Sequence, residues 1–148
     1  MNVLILAQYF PPDIGGAATR AYNLAKGLAL NGCNVTVISA FPHYPHGNIP
    51  VEYRWKPLKI ERMGNIKVIK TFMPPLKSEG FLKRLLLMGT FTVSSLFALP
   101  FIGKVDAVWA SSWVPAWIYS KLKSCPLALN VDDLTIEDLV DLDLATQN

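Results

Sequence analysis

Residues 2–20 read N-V-L-I-L-A-Q-Y-F-P-P-D-I-G-G-A-A-T-R, and their reading decides the fold. Val3 to Ala7 is a short continuous apolar run, the pattern of a strand buried on both faces of a parallel sheet. Pro11-Pro12 ends it, because proline has no N–H for the ladder. Gly15-Gly16 follows, and the sequence turns helical from Ala17. A strand, a glycine turn and a helix start leave backbone N–H groups unpaired and aimed outward, an arrangement that attracts phosphate or carboxylate. A tight turn and nothing more is the plainer reading of the same two glycines.

Outward from this stretch the chain alternates. Residues 18–31 have helical spacing in Tyr22, Ala25, Leu28 and Ala29, closed by Asn31-Gly32. Asn34 to Ser39 is a β-branched strand, so the first elements form a β-α-β unit with parallel strands and a right-handed crossover. Residues 40–57 carry four prolines and a glycine, which forbid regular structure. This loop is rich in aromatics, holds both histidines and lies at the carboxyl end of a parallel strand, where α/β proteins bind ligands. Two short strands, Leu58 to Arg62 and Asn65 to Phe72, are expected about Gly64-Asn65. Val105 to Ala110 and Leu127 to Val131 read as further core strands, with a helix over Trp113 to Lys123 between them. The whole predicts an α/β domain: a Rossmann-like parallel sheet with helices on both faces and the first strand inside it.

A helix is expected over 79–102. Within it, 19 uncharged residues run from Leu85 to Gly103 behind Lys77, Lys83 and Arg84. That length reaches the threshold for a membrane span, but Thr90, Thr92, Ser94 and Ser95 dilute it without sharing a face. A buried helix, or an interfacial one with a basic collar, fits better. The tail after Asp132 reads as helical, with Asp132 or Asp133 as N-cap.

Composition narrows the partners. The chain has 148 residues, room for one domain with a real core. Half of them are hydrophobic and mean hydropathy is +0.29, which points to a buried sheet, a membrane-facing element or both. The net charge is only +3, yet residues 1–131 hold fourteen basic groups against five acidic ones, +9, and the other six acids follow Val131. A basic body favours anionic partners such as phosphates or acidic lipid. Cys33 and Cys125 have no metal or redox spacing and read as reduced core or near-core residues of a cytosolic protein. No basic n-region of a signal peptide precedes the first strand.

The glycine turn is neither a dinucleotide fingerprint nor a Walker A loop: G-x-G-x-x-G and G-K-[ST] are both missing, and the second strand ends in Ser39 where an acid would meet the ribose. His43 and His46 have no third ligand nearby, so no metal site is expected; a hydrogen-bonding role toward a ligand, or two solvated histidines, remain as readings. Asp133 and Glu137, four apart, share a face if the tail is helical. Such a pair suits sugar hydroxyls, or complements a helix dipole.

Taken together, Q-Y-F-P-P-D-I-G-G-A-A-T-R, G-L-A-L-N-G-C-N-V-T-V-I-S and F-P-H-Y-P-H-G resemble the amino-terminal domain of GT-B glycosyltransferases of family 4, in the subgroup that builds surface polysaccharides. The apolar helix after F-L-K-R-L-L and the V-x-D-L-x-x-E pattern of Val131, Asp133, Leu134 and Glu137 match as well. The resemblance implies a retaining transfer from a nucleotide-diphosphate sugar, without a metal or other cofactor. Gly15 and Gly16 would approach the donor diphosphate, while Arg20, His43, Tyr44, Asp133 and Glu137 would serve the acceptor; no catalytic residue is assigned. A lipid-linked acceptor, a peripheral place at the inner face of the cell membrane in the cytoplasm, and no nucleic-acid partner are further expectations. His43 stands where the subgroup often has Asn, Ser111-Ser112-Trp113 where many relatives carry a histidine, and no Trp-Pro follows Leu134. With no second Rossmann-like half and no E-x₇-E donor motif, the chain reads as an incomplete domain, inactive alone. The alternatives are a non-catalytic membrane-associated subunit partnering a separate donor-binding half, and a small α/β nucleotide-binding module.

Overall fold

The computed structural model describes residues 1–76 and 80–131. Its framework is β1 (Asn2–Leu6), α1 (Gly16–Leu30), β2 (Asn34–Ala40), β3 (Leu58–Met63), β4 (Ile66–Thr71), α2 (Phe81–Leu96), β5 (Ala107–Ala110), α3 (Trp113–Lys123) and β6 (Leu127–Leu129), with short 3₁₀ turns at Val51–Tyr53 and Leu99–Phe101. The six strands form one sheet in the order β3-β4-β2-β1-β5-β6. All neighbours are parallel except β3, which turns back on β4 through Gly64, at φ +60°. The first strand is therefore interior, between β2 and β5, as its unbroken apolar run requires.

Helices cover both faces. On one, Ala21 and Ala25 of α1 pack on Val3, Ile5, Val35, Val37 and Val68. Methyl side chains let this helix lie close to the sheet. On the other, Leu87 and Phe91 of α2 and Ala116 and Tyr119 of α3 meet Leu4, Leu6, Ile38 and Ile69. The buried Tyr119 hydroxyl donates to the Ser95 carbonyl at 2.6 Å, supplying a partner to the last turn of α2, where intrahelical donors run out.

The helix expected over 79–102 is shorter. α2 ends at Leu96, and a 3₁₀ turn follows. Pro100 lacks the N–H that the Leu96 carbonyl would receive and disfavours helical geometry at Leu99, so its effect is felt a full turn upstream. As the sequence reading expects, the small polar residues do not line up on one face: Thr90 is half-buried on the outer groove, whereas Thr92, Ser94 and Ser95 are buried. The hydroxyls of these three buried residues return hydrogen bonds to the helix's own carbonyls at Met88, Phe91 and Thr92, so they are buried without unsatisfied donors. Leu82, Leu85, Leu86, Val93 and Phe97 point outward instead. No helix among the described residues is long and apolar enough to cross a membrane.

Candidate functional site

The carboxyl ends of β1 and β2 carry two loops, residues 7–15 and 41–57, which meet above the sheet. Gly15 is the N-cap of α1 at φ +150°, a conformation that favours glycine, and no side chain caps the helix. No acid lies in the first turn. The leading N–H groups of α1 are thus left for an outside acceptor. A Cβ on Gly16 would meet nothing within 4 Å, while one on Gly15 would touch the Tyr44 ring at 3.6 Å. Beside the two glycines is a pocket of about 230 Å³ whose walls include Tyr9, Ile14, Ala18 and Tyr44. Gly15, Gly16 and Tyr44, singled out in the sequence, therefore come together.

The other expected residues divide. His43 is 7% exposed, and its Nδ1 lies 2.8 Å from the Phe41 carbonyl. A carbonyl only accepts, so Nδ1 carries the hydrogen, which leaves Nε2 as the ring nitrogen turned to other partners. The ring leans on Tyr9 at 5.5 Å, and Tyr9 meets Tyr44 edge-on at 5.8 Å. Burial, the Asp13 carboxylate and Tyr44 hold the Tyr9 phenol above its ordinary pKa. His46 is exposed. Arg20 is exposed on α1, one turn beyond Gly16. Asp133 and Glu137 lie outside the described residues.

The sequence reading missed Asp13 and Lys70. Asp13 is 5% exposed, and its Oδ1 accepts from the backbone N–H of His43 at 2.9 Å and of Tyr44 at 2.8 Å. Its Oδ2 is buried with no hydrogen-bond partner. Lys70 on β4 has no exposed surface; its Nζ donates to the Pro11 carbonyl at 2.7 Å and lies 3.9 Å from Glu61 Oε2. Burial pulls the Lys70 ammonium below its usual pKa, against the opposing pull of the Glu61 and Asp13 charges. Glu61 also accepts from the Tyr53 hydroxyl at 2.7 Å and pairs with Lys59 at 2.9 Å. Burial works to raise its carboxyl, but these hydrogen bonds and the Lys70 charge win and hold it low. An acid between Pro12 and the glycines was the available signal.

A larger groove, about 730 Å³, runs along the outer face of α2 between Leu82, Leu86, Val93 and Phe97, and reaches Pro57 and Phe72. Pro57 precedes β3 and Phe72 follows β4, and Leu58 pairs with Thr71. The groove therefore opens at the same end of the sheet as the glycine turn.

The chain is 26% identical, over 98% of its length, to a putative colanic acid biosynthesis glycosyl transferase, WcaI, of Escherichia coli K12. Its fold is similar to the catalytic domain of starch synthase IV from Arabidopsis thaliana, a structure bound to ADP and acarbose, with a TM-score of 0.58 and 15% identity over 86% of the chain. The resemblance to an amino-terminal portion of GT-B glycosyltransferases is borne out. The chain spans 37% of the length of the E. coli relative and 33% of the starch synthase chain. No protein-family model matches it. In GT-B terms, the described residues supply a six-stranded Rossmann-like sheet with a glycine turn at the carboxyl end of its interior strand.

Proposed function

We propose that this chain is the acceptor-side, amino-terminal domain of a retaining glycosyltransferase that uses a nucleotide-diphosphate sugar in polysaccharide or glycoconjugate synthesis. One observation carries the reading: the uncapped start of α1 at Gly15-Gly16, beside an aromatic-walled pocket. Backbone N–H groups held there are suited to the charge that develops on a departing diphosphate. Tyr44, His43 through Nε2, and Arg20 one turn along α1 are the groups offered to an acceptor, with Asp133 and Glu137 as further candidates. No cofactor is needed in this scheme. A domain of this kind holds one of two reactants, so the chain alone is expected to give no measurable transfer.

The apolar groove on α2, opening at the same end of the sheet, supports an acceptor linked to a lipid. Exposed Lys83 and Arg84 beside it support peripheral attachment at an anionic surface, such as the inner face of the cell membrane. The same face favours a second reading, a non-catalytic membrane-associated subunit that works with a separate donor-binding half.

The test is a titration of the isolated chain with a nucleoside diphosphate and with the matching nucleoside, followed through the Gly15 and Gly16 amide resonances. The diphosphate is expected to move both resonances and the nucleoside neither. Gly16→Asp, which has open space for its side chain and sets a negative charge at the helix start, is expected to abolish the response. Equal shifts with both ligands, or an unaffected Gly16→Asp variant, would sink the diphosphate reading.

A further inference from the structure

Two loops about thirty residues apart in sequence are held by a single buried carboxylate. Asp13 Oδ1 takes the N–H groups of both His43 and Tyr44, while Asp13's own N–H donates to the Phe10 carbonyl at 3.2 Å. Asp13 itself sits two residues before Gly15. A buried anion with one oxygen unpartnered is costly unless a cation lies near. Lys70 supplies that charge: its ammonium is tied beneath the same turn through the Pro11 carbonyl. On its other side Lys70 faces Glu61, which holds the Tyr53 hydroxyl, and the Tyr53 ring lies 5.3 Å from that of Phe41, at the root of the aromatic loop. Both loops are thereby tied to the β3–β4 edge of the sheet.

We infer that Asp13 is a positioning residue that locks the glycine turn and the aromatic loop into one unit, with Lys70 as its charge partner, so that an anion at the turn and the shape of the 41–47 loop are coupled. The coupling to an anion rests on the diphosphate reading above; the lock itself does not. Lys70 has a second effect at the turn. An uncompensated carboxylate two residues before Gly15 would oppose an incoming anion, and the ammonium offsets that field. The arrangement thus keeps the start of α1 attractive to anions while using an acid to hold it.

The lock is tested on the free chain by amide hydrogen exchange at His43 and Tyr44, and the coupling by affinity for inorganic diphosphate. Asp13→Ala removes the acceptor, and exchange at both amides is expected to rise about tenfold or more, the scale of losing hydrogen bonds to a charged group. Asp13→Asn keeps a side-chain oxygen and is expected to retain most of that protection. Val108→Ala, a cavity on the α2–α3 face, serves as the control for general loosening and is expected to leave the two amides protected relative to the rest of the chain. Diphosphate affinity is expected to fall several-fold in Asp13→Ala and in Lys70→Met. Unchanged protection at His43 and Tyr44 in Asp13→Ala overturns the lock. If that variant does not fold, Asp13→Asn decides, because a neutral amide oxygen accepts more weakly than a carboxylate: a small rise in exchange at His43 and Tyr44 that exceeds the rise at Gly27 and Leu28 of α1 supports the lock, and no rise at His43 and Tyr44 beyond that in α1 overturns it. A wild-type chain that ignores diphosphate, yet shows the exchange changes, keeps the lock and removes the diphosphate reading.

Discussion

α1 and α2 lie on opposite faces of one sheet and solve the same packing task in opposite ways. α1 buries Ala18, Ala21 and Ala25 and shows Arg20 and other polar groups outward. α2 buries Leu87 and Phe91 together with Thr92, Ser94 and Ser95, and turns most of its leucines away from the sheet. The first is an ordinary amphipathic helix. The second has enough apolar surface for two faces, with hydroxyls satisfied by its own backbone on the inner one. The difference teaches that apolar content alone does not tell which side of a helix meets the core; small size and local hydrogen bonding fitted Ser94 and Ser95 for the inside.

If α2 is held by its few large inward groups, Phe91 matters most. It is 1% exposed, and Phe91→Ala is expected to cost about 3–5 kcal/mol in denaturant unfolding. A loss no larger than that of a surface substitution would mean that the outward leucines hold the helix instead. α1 should break in the reverse sense, by crowding. Ala25 has no exposed surface, and Ala25→Leu is expected to cost about 1–3 kcal/mol through overpacking; a stabilised variant would show that α1 does not lie as close as its alanines imply. The outer face of α2 should carry the smallest stability effect. Leu85→Ser with Leu86→Ser is expected to change stability by no more than about 0.5 kcal/mol per site, yet to abolish flotation with anionic liposomes. Flotation undiminished in this variant, or absent in the wild type, would leave the exposed face without a membrane role.

The contrast also marks what could be read in the sequence. The spacing of Tyr22, Ala25, Leu28 and Ala29 with the Asn31-Gly32 stop gave away α1, because its two faces differ in polarity. In the uniform apolar run of α2 every face looked alike, so the inward side could not be told from periodicity. Strand existence was plain from the apolar runs, and the chain reversal at Gly64 from its turn residues, although β5 and β6 came out shorter than their runs. At the candidate site, Gly15, Gly16 and Tyr44 were legible because a glycine turn and an aromatic loop follow successive strands of one sheet. Asp13 was visible only as an acid between Pro12 and the glycines; its role was not, because its partners are backbone N–H groups thirty residues on, and backbone donors leave no mark in a sequence. Lys70 carries no distinguishing mark within the expected strand Asn65 to Phe72; only the fold closes Pro11 and Glu61 around it.

The hydrogen bond from Tyr119 to the Ser95 carbonyl ties α3 to the last turn of α2, so the two helices cover their face of the sheet as a joined pair. α3 begins at Trp113, close behind the end of β5 at Ala110. The glycine turn hangs from the neighbouring strand, with α1 behind it on the opposite face. The sheet therefore stands between a tied pair of helices on one face and the helix that starts at the glycine turn on the other.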